Sequence, residues 1–305
     1  MKQTRRQFVR TLFIATQAAA IGSLFPHQLF AADAKAGGLN FIVFGDWGRN
    51  GELDQLDVAT QMGIAAGEMQ AKFIISVGDN FYENGVASVD DPQWQSSFEK
   101  VYTAASLQVP WRVVLGNHDY HGNTAAQIEY SKRSQRWTMP ALYYQRTEPI
   151  DESTTADFFY IDTDPMRRRD MKNVAPQMAW LESALAASKA PWKIVIGHHP
   201  IYTGGEHGDT PYLVEHVLPL LEQHGVQVYF NGHDHDLQHL QAGRIHLFCT
   251  GAGSIPRTTT QTPHTLFAKG GCPGFVAVSL QADKMTVQML DAQGAVLHTA
   301  NIPRT

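Results

Sequence analysis

The sequence predicts a mixed α/β fold in one domain, and three observations carry this prediction. Short apolar runs rich in β-branched and aromatic residues recur along the chain, as buried strands require. Helical patterns lie between these runs, so strands and helices alternate. Toward the carboxyl terminus the apolar runs are instead separated by Gly- and Asp-containing turns, which is typical of an antiparallel meander. The economical arrangement is a mixed sheet or two packed sheets.

The predicted elements follow from these patterns in order along the chain. Buried strands are predicted at 39–44, 73–77, 111–115, 158–161, 193–196 and 226–230. Helices are predicted at 54–69, 92–102, 176–187 and 211–222, the last three with Pro in the first turn. The meander is predicted at 245–249, 275–280, 285–290 and 296–300.

The first 34 residues are predicted to be an export signal rather than part of the fold. The pair Arg5-Arg6 precedes a weakly apolar stretch and then small residues at A-x-A spacing, which is the order of a twin-arginine signal peptide. We expect cleavage after Ala34, with Ala32 the next choice, and a single domain over 35–305. The protein is therefore expected to use the twin-arginine export machinery and to be periplasmic or secreted. An amphipathic amino-terminal helix with a chance Arg pair is the alternative.

Composition excludes several other classes of protein. The formal charge of −5 offers no general basic surface for nucleic acid, so no general nucleic-acid binding is expected. After residue 35 no apolar run approaches the roughly 20 residues of a membrane-spanning helix, so no stable membrane insertion is expected. Cys249 and Cys272 are too few for a disulfide scaffold and lack zinc-knuckle spacing. An intramolecular disulfide between them or two free buried thiols are both open.

Five of the predicted strands end in Gly followed by side chains that bind metals. The sequences are GDWG from Gly45, GDNFY from Gly78, GNHD from Gly116, GHH from Gly197 and GHDH from Gly232. In open α/β sheets, ligands bind beyond the carboxyl ends of the strands, so these loops are expected to converge. Glycine lets each chain turn sharply and approach an ion.

The donor set predicts the kind of metal centre. Asp carboxylates, an Asn carbonyl and several imidazoles suit iron, manganese or zinc, and are too rich in His for calcium. There are more donors than one tetrahedral ion can use, and a single Asp could bridge. The sequence therefore favours a pair of ions, an arrangement that clamps both oxygens of a phosphoryl displacement.

Taken singly, each motif has an ordinary explanation. A G-D pair at a strand end is usually a turn, and N-H-D is usually a polar loop. Asp119 and Asp234 are expected to orient neighbouring groups rather than to bind metal. Four further histidines lack a motif and are expected to be ordinary surface or second-shell residues: His121, His239, His246 and His264. Five such motifs in one order, all at predicted strand ends, argue against a chance occurrence and favour a shared metal site.

In that order the motifs G-D, G-D-x-x-Y, G-N-H-D, G-H and G-H-D-H resemble the calcineurin-like metallophosphoesterases. The strings GDWG, VGDNFYENGV, VLGNHDYHGN, GHHP and NGHDHDLQHL are similar to a small purple acid phosphatase of the tartrate-resistant type, over about residues 39–253. Tyr82, three residues after Asp79, is the specific mark of that type. The resemblance implies two packed mixed β-sheets flanked by helices, with a dinuclear metal site at the carboxyl-end edge of the strands.

The resemblance also implies roles for individual residues. A ferric ion would be held by Asp46, Tyr82 and His235, and a divalent ion (Fe, Zn or Mn) by Asn117, His198 and His233, with Asp79 bridging. Asn117 and His118 would contact the phosphate, and His118 and His207 would stabilise or protonate the leaving group. His199 stands where the family usually has Tyr, so it would either add a third cation near the substrate or face solvent.

The implied activity is hydrolysis of phosphate monoesters on small substrates by an exported acid phosphatase. A metal-bound hydroxide, available below neutrality because two cations lower the pKa of water, would attack phosphorus in line. A zinc or manganese phosphodiesterase or nuclease on the same fold is the alternative. A non-catalytic exported binding protein is a third possibility, and His118 argues against it because metal binding does not need that residue.

Overall fold

The computed structural model describes residues 38–304, which form two seven-stranded β-sheets flanked by helices. Strands β1 to β14 are Leu39–Phe44, Phe73–Ser76, Trp111–Val113, Trp137–Thr138, Tyr144–Pro149, Thr155–Tyr160, Trp192–Ile196, Val228–Asn231, Leu237–Ala242, Ile245–Thr250, Thr265–Lys269, Gly274–Leu280, Lys284–Asp291 and Val296–Pro303. Helices α1 to α5 are Gln55–Met69, Thr124–Tyr130, Asp164–Arg167, Met171–Ala187 and Leu218–Gln223. Short π-helical segments are Trp94–Glu99 and Leu213–Val217, and 3₁₀ turns are Ala105–Leu107 and Asp119–His121. The predicted twin-arginine signal and its cleavage site lie outside the described residues.

Both sheets are mixed, which confirms the predicted fold class. The first has the strand order β14-β13-β12-β1-β2-β3-β4, and β1 to β4 run parallel. The second has the order β11-β9-β10-β8-β7-β6-β5, and β6, β7, β8 and β10 run parallel. The two parallel centres bring the carboxyl ends of their strands to a common edge, where polar loops can meet.

Alternation of side chains along β1 explains how the layers pack. Phe41 and Val43 face the core between the two sheets, whereas Ile42 and Phe44 face the helical layer. Between the sheets, Phe41 stacks on Phe73 at 5.0 Å and meets Phe158 of the other sheet edge-on at 5.4 Å. Because both faces of β1 are buried, its sequence reads as a continuous apolar run.

Several predicted boundaries differ from the structure. Helix α4 begins at Met171, so Pro176 lies inside it rather than in the first turn, although Pro has no backbone N–H to donate within a helix. The predicted helix at 92–102 is a shorter π-helical segment, Trp94–Glu99. The predicted strand at 245–249 does not join the meander. It pairs in parallel with β8 in the other sheet, and only β12 to β14 form the antiparallel ribbon.

Within residues 38–304, no helix combines the length and the apolar character needed to cross a bilayer. The two cysteines of this region are both free thiols, so the possible Cys249–Cys272 disulfide is wrong. Cys249 is the penultimate residue of β10 and is buried, with its Sγ 3.2 Å from the Asp234 carbonyl oxygen. Burial, followed by the charges of Asp236 and Asp234, raises the pKa of this thiol well above its usual range.

Two histidines that the sequence suggested were ordinary belong to a chain of three imidazoles, of which the middle one, His239, is buried. His239 on β9 lies 3.0 Å from His298 on β14 and 2.9 Å from His246 on β10, measured between ring nitrogens. This chain connects the two sheets, and the His239 ring stacks on Phe248 at 4.3 Å. The side chain of His239 is only 3% exposed. Burial and the two neighbouring imidazoles lower its pKa to about 3.

This chain of imidazoles predicts an acid-dependent loss of stability. Unfolded His titrates near pH 6.5, so between that pH and about 3 the unfolded state binds more protons than the folded state. The free energy of unfolding should therefore fall as pH falls through this window, by up to about 1.4 kcal/mol per pH unit for His239 alone. Urea denaturation of wild type and His239→Phe at several pH values measures this slope.

We expect the slope to be smaller in His239→Phe, because Phe keeps the stacked shape and removes the titrating group. His216→Gln is the control, since that side chain is half exposed. Equal slopes in wild type and His239→Phe would contradict the prediction.

Candidate metal centre

Three of the predicted ligands occupy the left-handed region of backbone space. Asp46 has a φ of 61°, Asp79 of 49° and His233 of 70°. This conformation costs a non-glycine residue of order 1 kcal/mol or more, and it turns the side chain back over the strand end. Gly78, with φ 99°, has no room for a Cβ, because a backbone nitrogen of Gly116 and the His198 ring would lie at 2.8 Å. The Gly-ligand motifs are thus tight turns that place donors on one edge.

Five strands from both sheets supply the predicted ligands. The loops after β1, β2 and β3 carry Asp46, Asp79 and Asn117 from one sheet. The loops after β7 and β8 carry His198 and the pair His233 and His235 from the other sheet. The structure therefore brings all of these loops together across the top of the sandwich.

One group of donors surrounds the hydroxyl of Tyr82. Its Oη lies 3.1 Å from Asp46 Oδ1, 2.9 Å from Asp79 Oδ2 and 3.1 Å from His235 Nε2. The Tyr82 side chain is buried at 6% exposure. Burial, and then the charges of Asp46 and Asp79, raises the pKa of this phenol well above its usual value. A phenolate here would need a cation among the same donors.

A second group of donors adjoins the first. His198 Nε2 lies 3.2 Å from Asn117 Oδ1 and 3.2 Å from His233 Nδ1. The same nitrogen lies 3.5 Å from Asp79 Oδ2, the oxygen that Tyr82 also contacts. One carboxylate of Asp79 therefore reaches both groups, as the predicted bridging role requires.

These residues fit a pair of cations. Asp46 and Asp79 are 0% and 2% exposed, and the ion-pair partners that the structure gives them are His235 and His198. Buried carboxylates without a fixed cation are costly, whereas coordination to metal compensates them. Burial alone would lower the pKa of His198, but Asp79 and Asp46 outweigh it and raise that pKa. The donor atoms of Asp46, Asp79 and His198 lie within 4.8 Å of one another, and so do those of His198, His199 and His233.

Backbone carbonyls orient two of the imidazoles. His198 Nδ1 lies 3.0 Å from the Val77 oxygen and His235 Nδ1 lies 2.9 Å from the Ile255 oxygen. A carbonyl can only accept, so Nδ1 carries the proton in both rings and Nε2 presents a lone pair to the donor groups. This is the arrangement that metal-binding histidines generally have.

His118 and His207 lie on opposite halves of the centre. The His118 ring is 4.4 Å from the Tyr82 ring, and its Nδ1 donates to the Glu83 carbonyl oxygen at 2.7 Å. The His207 ring is 4.2 Å from the His233 ring, and its Nδ1 lies 2.8 Å from Asp234 Oδ1. Because Nδ1 is engaged in both rings, Nε2 is the ring nitrogen that can contact a substrate. Neither is placed among the metal donors.

The two predicted orienting carboxylates act differently. As expected, Asp234 orients His207. Its Oδ1 accepts from the backbone N–H of His207 and also contacts Nδ1 of the His207 ring. Burial would raise the pKa of Asp234, but the hydrogen bonds from His207 and Thr203 outweigh it and lower that pKa. Asp119 accepts from the backbone N–H groups of Gly116 and Asn80, so it orients loops, the other role expected of these carboxylates. Burial raises the Asp119 pKa to about 7.

His199 is fully buried, so it does not face solvent. Thr163 Oγ1 accepts from the backbone N–H groups of His198 and His199, and its hydroxyl is left to donate to His199 Nδ1 at 2.9 Å. Nε2 then carries the ring proton, and it has no hydrogen-bond partner among the described residues. Burial and the neighbouring His198 charge lower the pKa of His199 well below its usual range, so the ring is neutral rather than a third cation. Its contact with substrate stays a prediction.

Two residues beside the centre were not found from the sequence. Thr163 follows β6 and fixes the backbone of the His198 loop, but it lacks the Gly that marks the other motifs. Arg49 lies over the Tyr82 ring, with Cζ 3.7 Å from the ring centroid. An Arg in a loop carries no local signal of such a contact, because the partner is distant in sequence.

Comparisons with known proteins agree with this geometry. The family described as Calcineurin-like phosphoesterase matches residues 39–237. Purple acid phosphatase 7 of Arabidopsis thaliana is 37% identical over 88% of this chain and 87% of its own length. Human tartrate-resistant acid phosphatase type 5 is 34% identical over 90% of this chain and 93% of its own length. A solved structure titled as GAP50, the anchor in the inner membrane complex of Plasmodium, is 26% identical, with a TM-score of 0.79 and coverage of 88% and 90%.

Proposed function

The chain belongs to the purple acid phosphatases of the calcineurin-like phosphoesterase family and is a metal-dependent phosphatase, and from this premise we propose its finer chemistry. The proposed reaction is hydrolysis of phosphate monoesters on small substrates, at a centre of one Fe(III) and one divalent ion. The single observation that carries the iron assignment is the position of Tyr82. Its hydroxyl lies within 3.1 Å of three other donors, Asp46, Asp79 and His235.

The donor chemistry supports two different ions. The group around Tyr82 combines two carboxylates, one phenol and one imidazole, a hard set suited to a trivalent ion. The other group has Asn117, His198 and His233 with the shared Asp79, which suits a divalent ion such as Fe, Zn or Mn. Two bound cations would supply Lewis acidity and an activated water below neutral pH.

The chain's own residues would handle the substrate and the leaving group. Asn117 and His118 adjoin the centre on the loop after β3, where a phosphate oxygen would be bound. His118 Nδ1 is committed to the Glu83 carbonyl, so a proton for the leaving alkoxide would sit on Nε2 of the imidazolium. His207, held by Asp234, offers Nε2 in the same way from the other side.

The first experiment compares a phosphomonoester with a phosphodiester chromogenic substrate at acid pH. We expect the monoester to be hydrolysed faster by the enzyme as isolated. Faster hydrolysis of the diester would favour a phosphodiesterase or nuclease on this fold, and no hydrolysis of either would favour a binding protein.

Tyr82→Phe tests the iron assignment. A phenolate bound to Fe(III) gives a charge-transfer band in the visible, whereas zinc, with its filled d shell, does not. We therefore expect aerobically purified wild type to be violet, and Tyr82→Phe to be bleached while it keeps much of its iron and some activity. Visible spectra and metal analysis check this, with Tyr202→Phe as the control, because the Tyr202 ring stacks on His264. Colourless, iron-free and fully active wild type would contradict it.

We also propose export by the twin-arginine route to the periplasm or the exterior. The support is the Arg5-Arg6 pair ahead of an apolar stretch and a cleavage-like sequence. This route carries folded proteins, so the metals could be inserted before export. Replacing both arginines by Lys should trap full-length precursor inside the cell, as judged by fractionation and immunoblotting. Normal export of the double Lys variant would exclude the route.

A further inference from the structure

The guanidinium of Arg49 covers the face of the Tyr82 ring. Its Cζ lies 3.7 Å from the ring centroid, and the arginine side chain is only 11% exposed. Its Nε donates to Ser254 Oγ at 3.2 Å, and Ser254 Oγ donates to the Asp46 carbonyl oxygen at 2.6 Å. The arginine is thereby tied to the loop that carries Asp46, on the Tyr82 side of the centre.

The ion pair of Arg49 does not explain this position. Nη1 contacts Glu83 Oε1 at 2.7 Å, but the Glu83 side chain is 72% exposed. Exposed ion pairs contribute little to stability, whereas a desolvated cation–π contact contributes more. The ring contact is therefore the stronger reason for the guanidinium to be buried here.

A cation above the Tyr82 ring would attract the ring more strongly if the phenol became a phenolate. The Tyr82 hydroxyl lies beside the carboxylates of Asp46 and Asp79, so these two negative charges would repel the negative charge of a Tyr82 phenolate. Arg49 supplies positive charge on the face of the same ring. Its attraction grows with the negative charge that the ring carries.

We propose that Arg49 is a positioning residue for Tyr82, which holds the ring over the centre and stabilises the phenolate when a metal ion is bound to it. This rests on the proposed function only in that Tyr82 is a metal ligand. The partners that the structure gives the Arg49 side chain are Ser254, Glu83 and the Tyr82 ring. Arg49 acts through the tyrosine.

The chain offers a matched control for removing this arginine. Arg112 also lies 3.7 Å above an aromatic ring, that of Phe73, and is 10% exposed with a glutamate partner, Glu148. Arg112→Met thus removes the same kind of contact from a ring that binds nothing. A difference in metal loss between Arg49→Met and Arg112→Met therefore reports on the contact with Tyr82, and not on the loss of a buried arginine in general.

The test measures the rate at which the purified holoenzyme loses metal to an excess of chelator. We expect Arg49→Met to lose metal about tenfold faster than wild type, which corresponds to about 1.4 kcal/mol. Arg112→Met should lose it at the wild-type rate. In a Tyr82→Phe background, Arg49→Met should add nothing, because no phenolate remains to be stabilised. The proposal would be overturned if Arg49→Met lost metal at the wild-type rate. It would also be overturned if Arg49→Met increased the rate of metal loss equally in the presence and absence of the Tyr82 hydroxyl.

A spectrum provides a second readout. The guanidinium lowers the energy of the electrons on the phenolate. Its removal in Arg49→Met should therefore move the visible charge-transfer band to longer wavelength. A band at the wild-type wavelength would count against the proposal. A colourless wild type containing zinc or manganese would overturn the iron assignment, while the rates of metal loss would still decide the role of Arg49. Arg49→Lys keeps the charge without the planar stack and should lose metal at an intermediate rate. Arg49→Lys replaces Arg49→Met in the test if the Met variant does not fold. A wild-type rate of metal loss from Arg49→Lys would then overturn the stacking role.

Discussion

Asp79→Asn is expected to strip the centre of metal and to lower phosphatase activity by about 1,000-fold or more. Asp79 Oδ2 contacts the Tyr82 hydroxyl at 2.9 Å and lies 3.5 Å from His198 Nε2, so this carboxylate reaches both donor groups. Its loss removes negative charge from both ions at once. Several kcal/mol of transition-state stabilisation depend on them, and each 1.36 kcal/mol is a factor of ten in rate. Metal analysis and initial rates measure the two effects.

Asp236→Asn is the matched control for this variant. Asp236 is also a fully buried carboxylate, one residue past His235, but it accepts from the Gln238 side chain at 2.8 Å and does not contact the donor groups. It should keep its metal and most of its activity. If Asp79→Asn retained two metal ions per chain, the bridging role would be excluded.

His118→Ala and His207→Ala are expected to keep their metal and to lose about 100-fold or more in turnover. Both rings lie beside the centre with Nδ1 bound to a protein oxygen, so their role would be proton transfer from Nε2. A leaving alcohol of low pKa needs little protonation. The loss should therefore shrink as the pKa of the leaving group falls, which a series of substituted phenyl phosphates measures.

His121→Ala is the control for both of these variants. Its ring lies 5.4 Å from that of His118, but it belongs to no predicted motif. We expect its activity to be close to that of wild type across the series. A His118→Ala enzyme without metal, or one equally impaired on every leaving group, would show that the imidazole is structural.

The candidate site could be predicted closely from the sequence because each part of it is local. A buried strand, a glycine and a donor side chain occupy consecutive residues, as at Gly78 and Asp79, and the strand direction alone puts the donor at the carboxyl-end edge. The resemblance to a known family then implied how the donors divide between two ions. The structure places them in two adjoining groups that share Asp79, and the role of each residue stays a prediction.

The helix boundaries and strand partners were harder to predict. The strand at Ile245 has the same apolar pattern as the meander strands, and it joins the other sheet because β8 offers it a parallel partner. Pro176 looks like a helix start, but the helix begins one turn earlier at Met171. Periodicity reports which face of an element is buried, and it does not report the neighbour that buries it.

The sequence by itself determined the alternation of strands and helices, the loops that carry donors and the kinds of atom that those loops present. These depend on residues within a few positions of one another, where backbone sterics and burial act directly. Only the tertiary structure decided that Arg49 covers Tyr82, that His199 is buried against Thr163, that His239 connects His246 to His298 and that Cys249 and Cys272 stay apart. Each depends on where segments far apart in the chain end up, and the packing of the two sheets alone determines that.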